Sequence, residues 1–335
     1  MNILFIGNYA LGPGGEAADE SHLARELERL GHVVTRVPRD EWREYVIEDG
    51  PQGKYKVPEN IPVDIIIIAK WHHFFDGEFI KYARGKYKAP VFYWVWDYME
   101  GNSVEDWHMK MAAASDLYLS GEIGLAHYYH SNNVPFYYFQ FDSTDGDFPA
   151  YHSNKKLYDI VYLGSCLNQN GRIDLLKEID KQLKEQNIGQ IKVFGYDFEE
   201  WRKQGFDAEP AKYEMDFNRI VAESKIVLGT TAGPNCYGYW SNRVGKVLWA
   251  RGFLLQRYTP GMEQFMADLI EYYSTPEEAV KKIKHYLDNP DQREEVIMRA
   301  TGQRERWISE FKVRQLVVLA ERFINDPDRK EWMLP

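Results

Sequence analysis

The chain has 335 residues, 44% of them apolar and 27% charged, which suits two domains of ordinary size with full cores and excludes a disordered polymer. Its two cysteines, Cys166 and Cys236, supply neither a disulfide framework nor a metal spacing and point to a reducing compartment. The net charge of −10 is uneven: residues 1–150 hold 13 Lys and Arg against 23 Asp and Glu, whereas residues 151–335 hold 28 of each. That balance disfavours a nucleic acid lying along the acidic half and leaves the neutral half for a small anionic ligand.

In chain order, residues 2–8 read as a buried strand, with no basic n-region before them and too short an apolar run for a signal peptide. No stretch approaches a membrane span, so the expectation is a cytoplasmic protein. A loop over 9–15 leads to a helix ending near Leu30, with Leu23, Leu27 and Leu30 on one face and Gly31 as its cap. Residues 33–37 are a second strand, and a polar insertion spans roughly 39–62. Residues 63–69 and 91–96 are central strands, with a helix beginning near Asp76 between them. Helices near 104–114 and 122–131 flank a short strand at 117–120, and 136–141 closes this half. Residues 142–154, rich in Asp, Ser, Gly and Pro, form a linker. The pattern then restarts: strand 158–163, loop 164–171, helix 172–186, strand 191–195, a helix near 213–223 and strand 225–229. Residues 276–287 are helical, and 292–324 hold one or two closing helices. Strands alternating with helices imply an α/β fold with two doubly wound parallel sheets. The domains are expected at 1–150 and 151–310, with a tail at 311–335 packing back towards the first.

The stretch 237–265 carries the most chemistry. Ser241 is the candidate N-cap of a helix bearing Val244, Val247 and Leu248 at i, i+3 and i+4. Gly252 closes that helix, Phe253-Leu254-Leu255 is a buried strand, and Pro260-Gly261 forces a turn with Glu263 just beyond. Orphan N–H groups at the helix start, with Arg243 and Lys246 in its first turns, are suited to an anion, best a diphosphate.

The same stretch resembles the donor-binding segment of GT-B glycosyltransferases of the family 4 branch, whose pattern is close to S-x-R-x-x-E … G-x-x-L-L … P-G … E. Ser241, Arg243, Gly252, Leu254, Leu255, Pro260, Gly261 and Glu263 match it, while Lys246 stands where those enzymes usually carry a glutamate. The resemblance implies two Rossmann-like domains facing across a cleft, with a C-terminal helical tail and a nucleotide-diphosphate sugar as co-substrate. It further implies a donor site from Gly164 and Arg172 after the first strand of the second domain, Gly195 and Tyr196 near the nucleoside base, and Ser241, Asn242, Arg243, Lys246, Gly261, Met262 and Glu263. In the first domain it implies the glycine-rich loop at Gly14 and Gly15, approaching the diphosphate from the other side.

A catalytic base should sit at the carboxyl end of a strand in the first domain. Asp97, after the fourth strand, is the first candidate and His72, after the third, the second; each also has a structural reading, as helix N-cap and as buried imidazole. Gly12, Gly14 and Ala17 spell G-x-G-x-x-A, but five residues after Gly7, too late for a nicotinamide fingerprint. Asp145-Gly146-Asp147 could hold a divalent ion, yet it falls in the linker and reads as a turn, so no essential metal is expected. The acceptor is expected to be a carbohydrate or small molecule. A nucleotide-sugar epimerase of similar fold and a non-catalytic nucleotide-sugar binding protein are the alternatives.

Overall fold

The computed structural model describes residues 1–9, 18–38, 58–69, 77–97, 106–141, 144, 148, 150–151, 153 and 155–326. Two compact units emerge: Met1–Phe141 together with a stretch beginning at Ser309, and Asp142–Ile308.

The first unit holds six parallel strands, β1 (Asn2–Gly7), β2 (Val33–Pro38), β3 (Ile65–Ala69), β4 (Val91–Val95), β5 (Leu117–Ser120) and β6 (Phe136–Tyr138), in the order β2-β1-β3-β4-β5-β6. From Ile3 of β1 onward and throughout β3, β4 and β5 every residue is buried, with successive side chains facing alternate layers, whereas the edge strand β2 is partly exposed. Leu4, Ile6, Ile66, Ile68, Tyr93 and Val95 face one apolar layer, and Ile3, Phe5, Ile65, Ile67, Phe92 and Trp94 face the other. This two-sided burial is why a run such as Ile65-Ile66-Ile67-Ile68 shows no polar alternation. Helices α1 (Asp19–Arg29), α2 (Gly77–Tyr87), α3 (Asp106–Ala114) and α4 (Ala126–Ser131) follow in sequence. Phe79, Ile80 and Ala83 of α2 and Met111 and Ala112 of α3 cover the first layer.

Against that layer a histidine is buried completely, together with the tyrosine hydroxyls that meet it. His108 on α3 places Nδ1 3.0 Å from the Tyr93 hydroxyl and Nε2 3.2 Å from the Tyr118 hydroxyl, and burial pulls its pKa down to about 3. The imidazole is neutral, and the hydroxyls satisfy both ring nitrogens.

The second unit repeats the plan with β7 (Tyr158–Leu163), β8 (Ile191–Gly195), β9 (Asp207–Pro210), β10 (Ser224–Gly229), β11 (Leu254–Arg257) and β12 (Glu271–Tyr273), ordered β12-β11-β10-β7-β8-β9 and parallel throughout. Its helices are α5 (Arg172–Glu185), α6 (Phe198–Lys203), α7 (Glu214–Ala222), α8 (Arg243–Trp249), α9 (Met262–Met266), α10 (Pro276–Asp288) and α11 (Pro290–Thr301). Leu176, Ile179 and Leu183 of α5 and Ala279, Val280 and Ile283 of α10 share an apolar cluster with Ile160, Val193 and Ile226. The final helix α12 (Ser309–Asn325) returns to the first unit. Its Val313, Leu316, Leu319, Ala320 and Phe323 join Leu23, Ala24 and Leu27 of α1 over Phe92 and Trp94, with the Phe323 ring edge-on to Phe92 at 5.3 Å.

Four short elements depart from the sequence expectation: β9, α6, α9 and β12 have no counterpart in it. Each spans six residues or fewer, and β9, Asp-Ala-Glu-Pro, is an edge strand held by pairing with β8 rather than by its own composition. The close of α8 also differs. The left-handed residue is Arg251 at φ 61°, and Gly252 is needed because a Cβ there would run into Val221 and Val247 side chains.

Candidate functional site

In the second sheet the chain runs from β7 outward through β8 to β9, then returns to β10 on the other side of β7 and continues through β11 to β12. The carboxyl ends of β7 and β10 therefore diverge, leaving the crevice where open α/β sheets bind ligands. The Tyr162 hydroxyl lies 3.3 Å from Thr230 Oγ1, joining the two strands at their ends. Two glycines fit the loops together: a Cβ on Gly164 would fall 2.7 Å from the Tyr162 hydroxyl, and one on Gly195 would meet the Gly164 carbonyl. That carbonyl accepts a hydrogen bond from Trp201 Nε1 at 3.0 Å, and Gly164 N–H donates to Phe194 O at 2.9 Å. Asp197 Oδ2 accepts from Cys166 N–H at 2.9 Å.

Beside this crevice stands α8. Ser241 Oγ accepts the Arg243 N–H at 3.3 Å, and the Ser241 carbonyl accepts the Val244 N–H at 3.0 Å. Ser241 thus caps the helix, although the N-cap position itself falls on Asn242. This corrects the expectation of orphan amides at the helix start. Two of them already serve Ser241, and the helix has only seven residues, so attraction for an anion rests on side chains.

Arg243 is the side chain that matters. It is partly buried and its guanidinium pKa is lowered, first by burial, then by Arg172, against the raising effect of the Tyr162 and Tyr239 phenols. Arg172, itself 6% exposed, spends Nε and Nη2 on the Leu167 carbonyl at 2.9 and 2.7 Å. Among the described residues no carboxylate pairs with Arg243. Arg243 thus lies beside a second guanidinium without a carboxylate partner of its own among the described residues, an arrangement that is costly until an anion enters. Lys246 lies one turn further along α8 and has partners of its own.

Around the crevice, Tyr196 follows β8 with its ring 66% exposed and 5.4 Å from Tyr213. Gly261 takes φ 81° and lets the Tyr237 ring close over it, where a Cβ would sit 2.6 Å from a ring carbon. Glu263 is exposed in the first turn of α9, beside Tyr258, whose phenol is pushed up by desolvation and by its hydrogen bond to Glu263. Met262 has a wholly buried side chain, and its N–H donates to Thr259 O at 3.1 Å.

Tyr162, Trp201 and Asp197 were missed in the sequence. Tyr162 sits inside a strand, and Asp197 follows Gly195-Tyr196 where a short helix was not anticipated; its partner Cys166 is 31 residues away. In the first unit Asp97 lies just past the carboxyl end of β4, partly buried. Gly14, Gly15 and His72 lie outside the described residues, as do Asp145 and Asp147. Among the described residues no three His, Cys, Asp or Glu side chains are grouped to hold a metal, and no helix is long and apolar enough to cross a membrane.

Residues 172–320 match the family model described as glycosyl transferase-like, a span that includes Arg172, Gly195, Tyr196 and the whole 241–263 group. No curated protein matches the sequence. Among solved structures the chain is similar to Anabaena HepE in complex with UDP, with TM-score 0.67 and 9% identity over 96% of this chain and 100% of that one. It is also similar to sucrose-phosphate synthase from Thermosynechococcus elongatus, with TM-score 0.64 and 10% identity over 97% and 99%. A UDP-N-acetylglucosamine 2-epimerase-like protein from Listeria monocytogenes aligns with TM-score 0.57 and 11% identity over 98% of each chain. At these identities the likeness is one of fold, the GT-B plan of two Rossmann-like units.

Proposed function

We propose that this GT-B chain, whose residues 172–320 form a glycosyl transferase-like domain, moves a sugar from a nucleotide-diphosphate donor to an acceptor hydroxyl. The observation that carries this reading is Arg243, a partly buried cation beside Arg172 with no carboxylate partner among the described residues, at the switch point of the second sheet. A diphosphate supplies the missing counter-charge. As the bond between the anomeric carbon and the β-phosphate oxygen breaks, negative charge builds on the departing nucleotide, and Arg243 with Lys246 stabilises it. That is the work a divalent ion does elsewhere, so the reaction is proposed to be metal-independent.

Tyr196 offers an exposed ring for the nucleoside base, and Glu263 two acceptor oxygens for a ribose or sugar hydroxyl. HepE was solved with UDP, which makes UDP the first nucleotide to try, with GDP second. Asp97 is the proposed acceptor base if configuration is inverted. The acceptor is proposed to be a carbohydrate or other small molecule, in a cytoplasm whose reducing conditions suit the two free cysteines.

Melting temperatures measured with UDP-, GDP-, ADP- and TDP-sugars test the reading. At about 100 Kd a ligand adds ~2.7 kcal/mol, a rise of roughly 5 °C or more for a unit of this size. No shift with any of the four overturns the proposal. Product analysis with donor alone separates the epimerase, which would return an isomerised sugar, and a shift without turnover would mark a binding protein.

A further inference from the structure

Asp197 sits at the N-cap position of α6 but makes no side-chain hydrogen bond to its own helix, although a carboxylate there ordinarily accepts from the first amides. Its Oδ2 is turned instead across the sheet edge, to the Cys166 N–H at 2.9 Å. Its Oδ1 is buried with no hydrogen-bond partner, an arrangement that costs stability. A residue kept only to stabilise the fold would have spent both oxygens. What the arrangement secures is the loop leaving β7. One end of that loop is pinned at Gly164, whose N–H donates to Phe194 O and whose carbonyl accepts from Trp201 Nε1. The other end is pinned at Cys166 by Asp197. Between them lies Ser165, whose N–H is accepted by no protein group among the described residues.

We propose that Asp197 is a positioning residue of the donor site, holding the Gly164–Cys166 loop so that the Ser165 amide stays available to a phosphate oxygen. The inference rests on the reading of this crevice as the nucleotide site and adds to it the residue that shapes its loop. Its sign is unusual. A carboxylate near a diphosphate is repulsive, so on charge alone its removal would tighten binding. Loss of affinity on truncation can then come only from the loosened loop.

The test compares Asp197→Ala and Asp197→Asn with wild type, by calorimetric titration with UDP, GDP, ADP and TDP and by donor kinetics. Asn keeps an oxygen acceptor for Cys166 N–H and drops the charge. Asp197→Ala should weaken nucleotide binding about tenfold and raise the donor KM by a similar factor, with kcat changed far less. Asp197→Asn should bind as tightly as wild type or tighter, and both variants should melt within a few degrees of it. Wild-type affinity in Asp197→Ala, or equal losses in Asp197→Ala and Asp197→Asn, overturns the proposal. Wild-type protein that binds none of UDP, GDP, ADP and TDP overturns the nucleotide-site reading itself, and the proposal with it.

Discussion

Replacing Arg243 by methionine should move stability and binding in opposite directions. In the free protein the guanidinium is partly buried, lies beside Arg172 and has no carboxylate partner among the described residues. Methionine fills a similar volume without the charge, so relieving the uncompensated cation should gain ~1–2 kcal/mol. For a unit of this size each kcal/mol is worth about 2–4 °C, so the ligand-free melting temperature should rise by roughly 2–8 °C. A bound diphosphate loses up to two charge-assisted hydrogen bonds, each ~1.5–3 kcal/mol, and affinity should fall roughly 100-fold or more. Differential scanning fluorimetry with and without saturating UDP or GDP, backed by titration calorimetry, reads both effects. An Arg243→Met protein that melts below wild type and keeps its nucleotide-induced shift would refute the reasoning, because the arginine would then be a structural element whose charge is already satisfied.

The other predictions concern the crevice walls and the first unit. Gly195→Ala drives a methyl group into the Gly164 carbonyl and Trp201 and should cost ~1–3 kcal/mol together with most of the nucleotide shift; unchanged melting with normal binding would mean the two loops move apart freely. Glu263→Ala should weaken nucleotide-sugar binding about tenfold or more while leaving the melting temperature of the free protein nearly unchanged, since the side chain is exposed; equal titration curves would remove its proposed role. His108 has a folded pKa near 3 against an ordinary 6.5, so its contribution is complete above the ordinary value and is lost as pH falls from there towards 3. At about pH 4.5 the loss reaches ~2–3 kcal/mol. Urea unfolding at about pH 7 and about pH 4.5 should therefore show a steeper decline for wild type than for His108→Gln, and parallel declines would contradict the neutral buried imidazole.

Much of this architecture was legible because apolar runs bounded by turn residues announce buried parallel strands. Ile65-Ile66-Ile67-Ile68 admits no other reading, and the Val244, Val247, Leu248 spacing marks the buried face of α8. Elements that owe their form to neighbours were not legible. Asp207–Pro210 is a strand only because β8 offers it a ladder, and the left-handed turn after α8 falls on Arg251, where side-chain identity gives no sign of it. The site divides the same way. Arg243 announced itself by following Ser-Asn at a helix start. The fate of the amides beside it did not, since whether Ser241 Oγ takes the Arg243 N–H depends on a rotamer and whether its carbonyl takes the Val244 N–H depends on the local backbone. Asp197 was hidden by the same locality: its role is a hydrogen bond between two strand ends, and an Asp before a helix ordinarily signals only the helix.

The return of α12 to the first sheet has a consequence for biosynthesis. The second unit is a single run of chain, tied at its entrance and exit by the bridge between Thr144 and Ile308, where Thr144 N–H donates to the Trp307 carbonyl. It can close as soon as its last residues leave the ribosome. The first unit cannot, because the layer over Phe92 and Trp94 is incomplete until the 17 residues of α12 have emerged. The part translated first is thus the part completed last, reversing the usual amino-terminal-first order of domain folding. Until then an unfinished apolar surface is open to chaperones or to aggregation, and a nascent chain stalled before Ser309 would carry a finished second half and an unsealed first one.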